Sequence, residues 1–209
     1  VCYAEALVVI GKTYYIPALL EIVERDRPFY QQSGGGVTVS GGEPTLQYPF
    51  LIDFLKAAKQ ADLHTVMETC GSCAWSKMEK LLPFLDVIYF DLKIVDAAAH
   101  KQLTGSSNRL ILANARKLVD LAADVVFRVP LVPGMTATAE NISDLVDLLN
   151  EFEQHRVHLL PYHNMGESKL ERIDSTLEPL NLQTFSEQEI EEIKSTFEAA
   201  GIVVSIGGG

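Results

Sequence analysis

The chain has 209 residues, 47% of them hydrophobic, and a formal charge of -11 at neutral pH. That length and apolar content suit one domain with a substantial core, while the negative charge offers no cationic field to nucleic acid or to an anionic membrane surface. No apolar stretch approaches the ~20 residues of a membrane-spanning helix, no signal-peptide layout is present and the three cysteines are an odd number, so a cytoplasmic protein without a disulfide framework is expected.

The first residues, Cys2-Tyr-Ala-Glu-Ala-Leu7, read as the middle of a longer sequence, so an upstream portion is expected. Ile16, Leu19, Leu20 and Val23 then fall at helical spacing. Val37 to Ser40 reads as a buried strand ending in glycines, and Phe50, Leu51, Phe54, Leu55 and Ala58 as the apolar face of the next helix. His64 to Thr69 and Val87 to Leu92 are further strands, and Ser76 with Glu79 has capping-box spacing between them. Val125 to Leu131 and Val157 to Leu160 follow, separated by a helical pattern at Ile142, Leu145, Val146, Leu149 and Phe152. A second capping box at Ser186 and Glu189 opens a helix through Ile190, Ile193, Phe197 and Ala200, which Gly201 should stop before a strand at Ile202 to Ile206. Alternation of strands and helices at this spacing implies a parallel sheet with right-handed crossovers, and in a barrel the functional groups gather at the C-terminal strand ends. No G-x-G-x-x-G follows the first strand, which disfavours a dinucleotide-binding open sheet.

At those ends stand residues with chemistry. Gly41 and Gly42 let a ligand approach the backbone without a Cβ in the way, and Glu43 offers a carboxylate to a cation such as an ammonium group. Lys93 supplies a cation two residues after Asp91, so Glu43 and Lys93 together suit a zwitterionic amino acid. Arg128 lies in the apolar run Val125-Val-Phe-Arg-Val and needs an anionic partner. Lys93 alone also admits a Schiff-base aldolase, which would have no use for the Gly-Gly-Glu stretch, and a non-catalytic binding barrel is a further alternative. Cys70-Gly-Ser-Cys73 has the spacing of a thioredoxin-type site or half a zinc site but lacks a second pair, so it reads as two loop thiols.

The stretch Ser33-Gly-Gly-Gly-Val-Thr-Val-Ser-Gly-Gly-Glu-Pro-Thr-Leu-Gln47 closely resembles the second-strand signature of the radical S-adenosylmethionine (SAM) activating enzymes of glycyl-radical enzymes, the pyruvate formate-lyase activating enzymes among them. His64-Thr-Val-Met-Glu-Thr-Cys-Gly71 and Asp86-Val-Ile-Tyr-Phe-Asp-Leu-Lys93 resemble the third and fourth. Leu103-Thr-Gly-Ser-Ser-Asn108, Phe127-Arg-Val-Pro-Leu-Val-Pro-Gly134 and Leu159-Leu-Pro-Tyr-His-Asn-Met-Gly166 follow in the family's order. The resemblance implies an α/β fold, a partial (β/α)6 TIM-like barrel forming one domain over residues 1–209. It implies SAM and a [4Fe–4S] cluster as cofactors, a glycyl-radical enzyme as protein substrate, and a flavodoxin or ferredoxin as electron donor. One electron into the sulfonium would release methionine and a 5′-deoxyadenosyl radical, which takes hydrogen from a glycine of the partner.

Carried over by position, Gly41, Gly42 and Glu43 would receive the methionine ammonium, Lys93 the carboxylate, and Asp91 would orient the ligand. Glu68 and Thr69 would line the same floor, Arg128 would lie near the substrate segment or the ligand carboxylate, and His163 by the ribose or adenine. The family's Cys-x3-Cys-x2-Cys loop does not occur in these residues, so the first strand and cluster loop are expected upstream and this chain alone is expected to be inactive. Residues 1–12 resemble the end of a ferredoxin-like insertion, which would make Cys2 a ligand of an auxiliary cluster.

Overall fold

The computed structural model describes residues 12–164 and 179–207. Cys2 and the Met165-Gly166 end of the last motif lie outside the described residues. Six runs form strands: β1 (Gly36–Val39), β2 (His64–Thr69), β3 (Val87–Asp91), β4 (Val125–Leu131), β5 (Arg156–Pro161) and β6 (Val203–Ile206). They pair in chain order, each parallel to the next. Each crossover therefore starts the next strand from the same edge, and all six C-terminal ends lie together on the other. β1 and β6 are the two ends of the order. The all-parallel α/β architecture is thus that of an open, partial barrel.

Helices α1 (Ile16–Glu24) and α2 (Arg27–Ser33) precede β1, and α3 (Tyr48–Gln60) and α4 (Trp75–Leu81) flank β2. Then come α5 (Ala97–Thr104) and α6 (Arg109–Asp120) between β3 and β4, α7 (Ala139–Glu151) after β4, and α8 (Glu187–Ala199) before β6. The capping box at α8 forms as its spacing requires: Ser186 Oγ accepts from the Glu189 amide and Glu189 accepts from the Ser186 amide. The one expected at Ser76 does not. Helix α4 begins earlier, with Ala74 as its N-cap, which puts Ser76 inside the first turn. The cause is tertiary: Asn114 on α6 donates to the carbonyls of Gly71 and Cys73, both at 2.8 Å, and fixes the chain just before that turn.

Strand alternation divides the sheet into two faces. One face sends Met67, Ile88, Phe90, Phe127, Val129, Val157 and Leu159 into a core closed by Leu51 and Leu55 of α3, Met78 and Leu81 of α4, Leu118 of α6, Leu145 and Leu149 of α7 and Phe197 of α8. Phe127 packs edge-on against Phe90 at 5.7 Å between ring centroids. Each such side chain contributes about 1.5–3 kcal/mol on leaving water. The other face carries Ser40, Glu68, Tyr89, Asp91, Arg128 and His158 and is polar toward the C-terminal edge. At the opposite edge, Asp86 accepts from Lys59 Nζ at 2.5 Å and from the Thr65 amide at 2.7 Å, which ties the start of β3 to α3 and β2.

Gly71, just past β2, has φ +70 and faces the Phe90 ring so closely that a Cβ would overlap it. Gly71→Ala should therefore destabilise the fold by about 2–4 kcal/mol, combining a left-handed backbone penalty with overpacking, read as a lower midpoint in urea unfolding.

Candidate functional site

The C-terminal strand ends form the mouth of the partial barrel. After β1 the chain turns at Gly41, whose φ of +132 suits glycine, and a Cβ built on Gly41 or Gly42 meets nothing within 4 Å. The two glycines border open space that a side chain would fill. Glu43 then caps the short 3-10 turn Pro44–Gln47. Its carboxylate accepts from the Thr45 amide at 3.2 Å and hydroxyl at 2.7 Å, from Thr69 Oγ1 at 2.9 Å, and from the Cys70 amide at 3.0 Å and thiol at 3.1 Å. Burial pushes this carboxyl up, but the hydrogen bonds from Thr45, Cys70 and Thr69 outweigh it and hold the group below the usual carboxylate range. Glu43 is a fixed anion, and its field is what it presents to the mouth.

Three strands meet in the next group. Arg128 on β4, 8% exposed, donates through Nη1 to Glu68 on β2 at 2.7 Å and through Nε to Asp91 on β3 at 2.9 Å. Its guanidinium also lies over the Tyr89 ring, 5.3 Å from the centroid. Ser40 donates to the other Glu68 oxygen at 2.6 Å. Glu68 is pushed up by burial, but Ser40 and Arg128 bring it below its ordinary value. Asp91 stands on the other side of that balance: burial raises it, and Arg128 and Lys93 do not fully offset the rise. His158 on β5 sits in register with Arg128, and burial, then Arg128 and Arg156, favour its neutral form.

Lys93 follows β3 and lines a cavity of about 220 Å³ together with Cys70, Asp91, His100, Thr104 and Asn108. His163 follows β5 by two residues and is exposed at the same edge, past a ladder bond from the Tyr162 amide to the Leu131 carbonyl at 2.9 Å. Of the residues singled out by sequence, Glu43 with Thr69 and Glu68 with Asp91 and Arg128 are thus in direct contact, and Lys93 borders Asp91. Ser40, Thr45 and Tyr89 contact these residues, and Asn141 donates to the Lys93 carbonyl at 2.8 Å; sequence reasoning singled out none of the four for the site. Ser40 and Thr45 flank the Gly-Gly-Glu stretch and could have been found from it. Asn141 lies on α7 and carries no local signal.

The described residues do not supply a cluster site. No group of three or more His, Cys, Asp or Glu side chains among them is placed to hold a metal. Burial and then Glu43 push the Cys70 thiol up, and burial also raises Cys73, so neither is offered as a thiolate. They do fit an amino-acid zwitterion: an anion at Glu43, a cation at Lys93 and space beside Gly41 and Gly42.

Two outcomes are expected. Arg128→Met leaves Glu68 and Asp91 without their cation and should cost on the order of 3 kcal/mol in denaturant unfolding. Glu43→Gln should be less stable than wild type at neutral pH. A depressed folded pKa contributes stability above the unfolded value and loses it as pH falls through the folded one, so the gap should close on acidification.

Residues 2–149 match the model of the radical SAM superfamily. The trans-4-hydroxy-L-proline dehydratase activating enzyme of Clostridioides difficile is 36% identical over 203 residues, which are 96% of this chain and 67% of that protein. The choline trimethylamine-lyase activating enzyme of Oleidesulfovibrio alaskensis is 34% identical over 207 residues, 97% of this chain and 67% of that protein. The chain thus spans about two thirds of the length of these relatives. Among solved structures, a domain of pyruvate-formate lyase-activating enzyme from Bacteroides vulgatus superposes with a TM-score of 0.70 at 29% identity, over 83% of this chain and 99% of that one. No helix among the described residues is long and apolar enough to cross a membrane. With a family model over most of its length and activating enzymes as its relatives, the chain belongs to the radical SAM superfamily, among the activating enzymes of glycyl-radical enzymes.

Proposed function

We propose that residues 1–209 are one radical SAM domain that binds the methionine part of SAM at its strand C-termini, in an enzyme that installs a glycyl radical on a partner protein. The observation that carries this reading is the arrangement of the mouth: a hydrogen-bonded anion at Glu43, a cation at Lys93 and open backbone at Gly41 and Gly42. Glu43 and the glycines face the ligand ammonium. Lys93 takes the carboxylate, with Asp91 beside it to orient the ligand. Glu68, Asp91 and Arg128 form a charged floor whose internal hydrogen bonds hold it in place before ligand arrives, and Thr69 fixes the Glu43 carboxylate beside it. His163, exposed at the same edge, is the residue for the ribose or adenine.

The [4Fe–4S] cluster of the family supplies the electron when bound. Its thiolates are to be sought outside these 209 residues, Cys2 being a candidate ligand of an auxiliary cluster. An external donor of the flavodoxin or ferredoxin class in the cytoplasm suits that chemistry. The glycine segment of the partner enters at the mouth, on the side of Glu43, Lys93 and Arg128.

The direct test is isothermal titration of SAM into this chain. Glu43→Gln and Lys93→Met should each weaken binding about tenfold, the worth of one charge-assisted contact. Unchanged affinity in both would remove the reading of the mouth. For the reaction, electron paramagnetic resonance is recorded on anaerobically reconstituted, dithionite-reduced protein, as this chain and as the chain joined to its native Cys-x3-Cys-x2-Cys loop. A reduced-cluster signal that shifts with SAM is expected in the longer protein alone. A longer protein that assembles no cluster would sink the activase.

A further inference from the structure

The segment that carries Lys93 leaves the sheet before the helix begins, and its backbone must be satisfied by something other than a neighbouring strand. The last ladder bond runs from the Leu92 amide to the Arg128 carbonyl at 2.8 Å. Beyond it, two asparagines take over. Asn141 Nδ2 donates to the Lys93 carbonyl at 2.8 Å and to the Thr136 carbonyl at 2.7 Å, while its Oδ1 accepts from the Val95 amide at 3.0 Å. Asn108 Nδ2 donates to the carbonyls of Ile94 at 3.1 Å and Val95 at 2.7 Å.

Both side chains are buried, Asn108 at 2% and Asn141 at 5% exposure. The two come from different helices, Asn108 at the N-cap of α6 and Asn141 in the first turn of α7. Four backbone polar groups of three consecutive residues are thus held by two amides. The carbonyl partners require each NH2 to point inward, so the orientation of both amides follows from their neighbours. A lysine is a flexible four-carbon stem, and its reach to a fixed point depends on how well its backbone is held.

We infer that Asn108 and Asn141 are positioning residues that hold the backbone from Lys93 to Val95 so that the Lys93 ammonium meets the carboxylate of the bound amino-acid moiety. This rests on the reading of Lys93 under the proposed function. It also gives a task to Asn108, the last residue of the Leu103-Thr-Gly-Ser-Ser-Asn108 motif, which no ligand contact has absorbed.

The test compares binding of SAM with that of decarboxylated SAM, which lacks only the carboxylate, by calorimetry on the 209-residue chain. Wild type, Lys93→Met, Asn108→Ala, Asn141→Asp and the double variant Lys93→Met/Asn141→Asp are measured. Asn141→Asp keeps the shape and the acceptor for Val95 and removes the donor to Lys93. The expected result is a wild-type preference for SAM of about tenfold, abolished in Lys93→Met and reduced about threefold in either asparagine variant. The decarboxylated ligand binds the asparagine variants as it binds wild type, and adding Asn141→Asp to Lys93→Met changes the preference no further.

Asparagine variants that lose affinity for both ligands equally would overturn the proposal and leave these residues as structural staples. A wild type without preference, or a Lys93→Met chain that keeps it, would overturn the reading of Lys93 instead. Should a variant fail to fold, amide exchange at Val95 in the wild type decides. Saturation with SAM should slow it by more than saturation with the decarboxylated ligand, and equal slowing by both counts against the inference.

Discussion

A guanidinium cannot stay 8% exposed on a β-sheet unless carboxylates meet it there, and this requirement at Arg128 organises the mouth of the molecule. The two carboxylates come from neighbouring strands, Glu68 on β2 and Asp91 on β3, and Arg128 and Asp91 are register partners. Side chains alternate along a strand, so a slip of one residue in β4 would turn Arg128 into the helix-covered core and Phe127 out of it. The ion cluster and the apolar core therefore specify the same register from opposite faces of one sheet.

Charge is placed differently at the two edges of that sheet. At the N-terminal edge, Lys59 and Asp86 close on each other and on the Thr65 amide, a local and self-contained arrangement. At the C-terminal edge the carboxylates outnumber the cations, with Glu43, Glu68 and Asp91 against Arg128 and Lys93. Burial raises all three carboxylates, and at Asp91 the negative charge of Glu68 adds to that rise. Glu43 and Glu68 are held below their ordinary range by hydrogen bonds, while Asp91 is left above it. Function gathers where the fold leaves polar groups that it has not cancelled.

Where the ladder ends, side-chain amides take its place. Asn114 holds the turn after β2, and Asn108 and Asn141 hold the turn after β3. These turns carry Cys70 and Lys93, so the groups at the mouth sit on loops whose backbone groups are paired by side chains from α6 and α7. Buried asparagine suits this task because one amide can satisfy two carbonyls, or a carbonyl and an N–H, without carrying charge into the core.

The six strands were legible because β-branched and apolar runs bounded by turn residues carry their own period, and the α8 cap because Ser186 and Glu189 are three residues apart and need nothing else. The ordered motifs carried the family and named Gly41, Gly42, Glu43, Lys93 and Arg128 as site residues. The failure of the Ser76 cap has the opposite cause: Asn114, distant in sequence, decides where α4 begins. The tertiary structure alone assigned the partners of Arg128 and the five donors of Glu43. It alone revealed the asparagines behind Lys93, since Asn141 touches a residue 48 positions earlier. Local spacing encodes elements and motifs, whereas a hydrogen bond between distant residues exists only once packing has brought its two ends within 3 Å of each other.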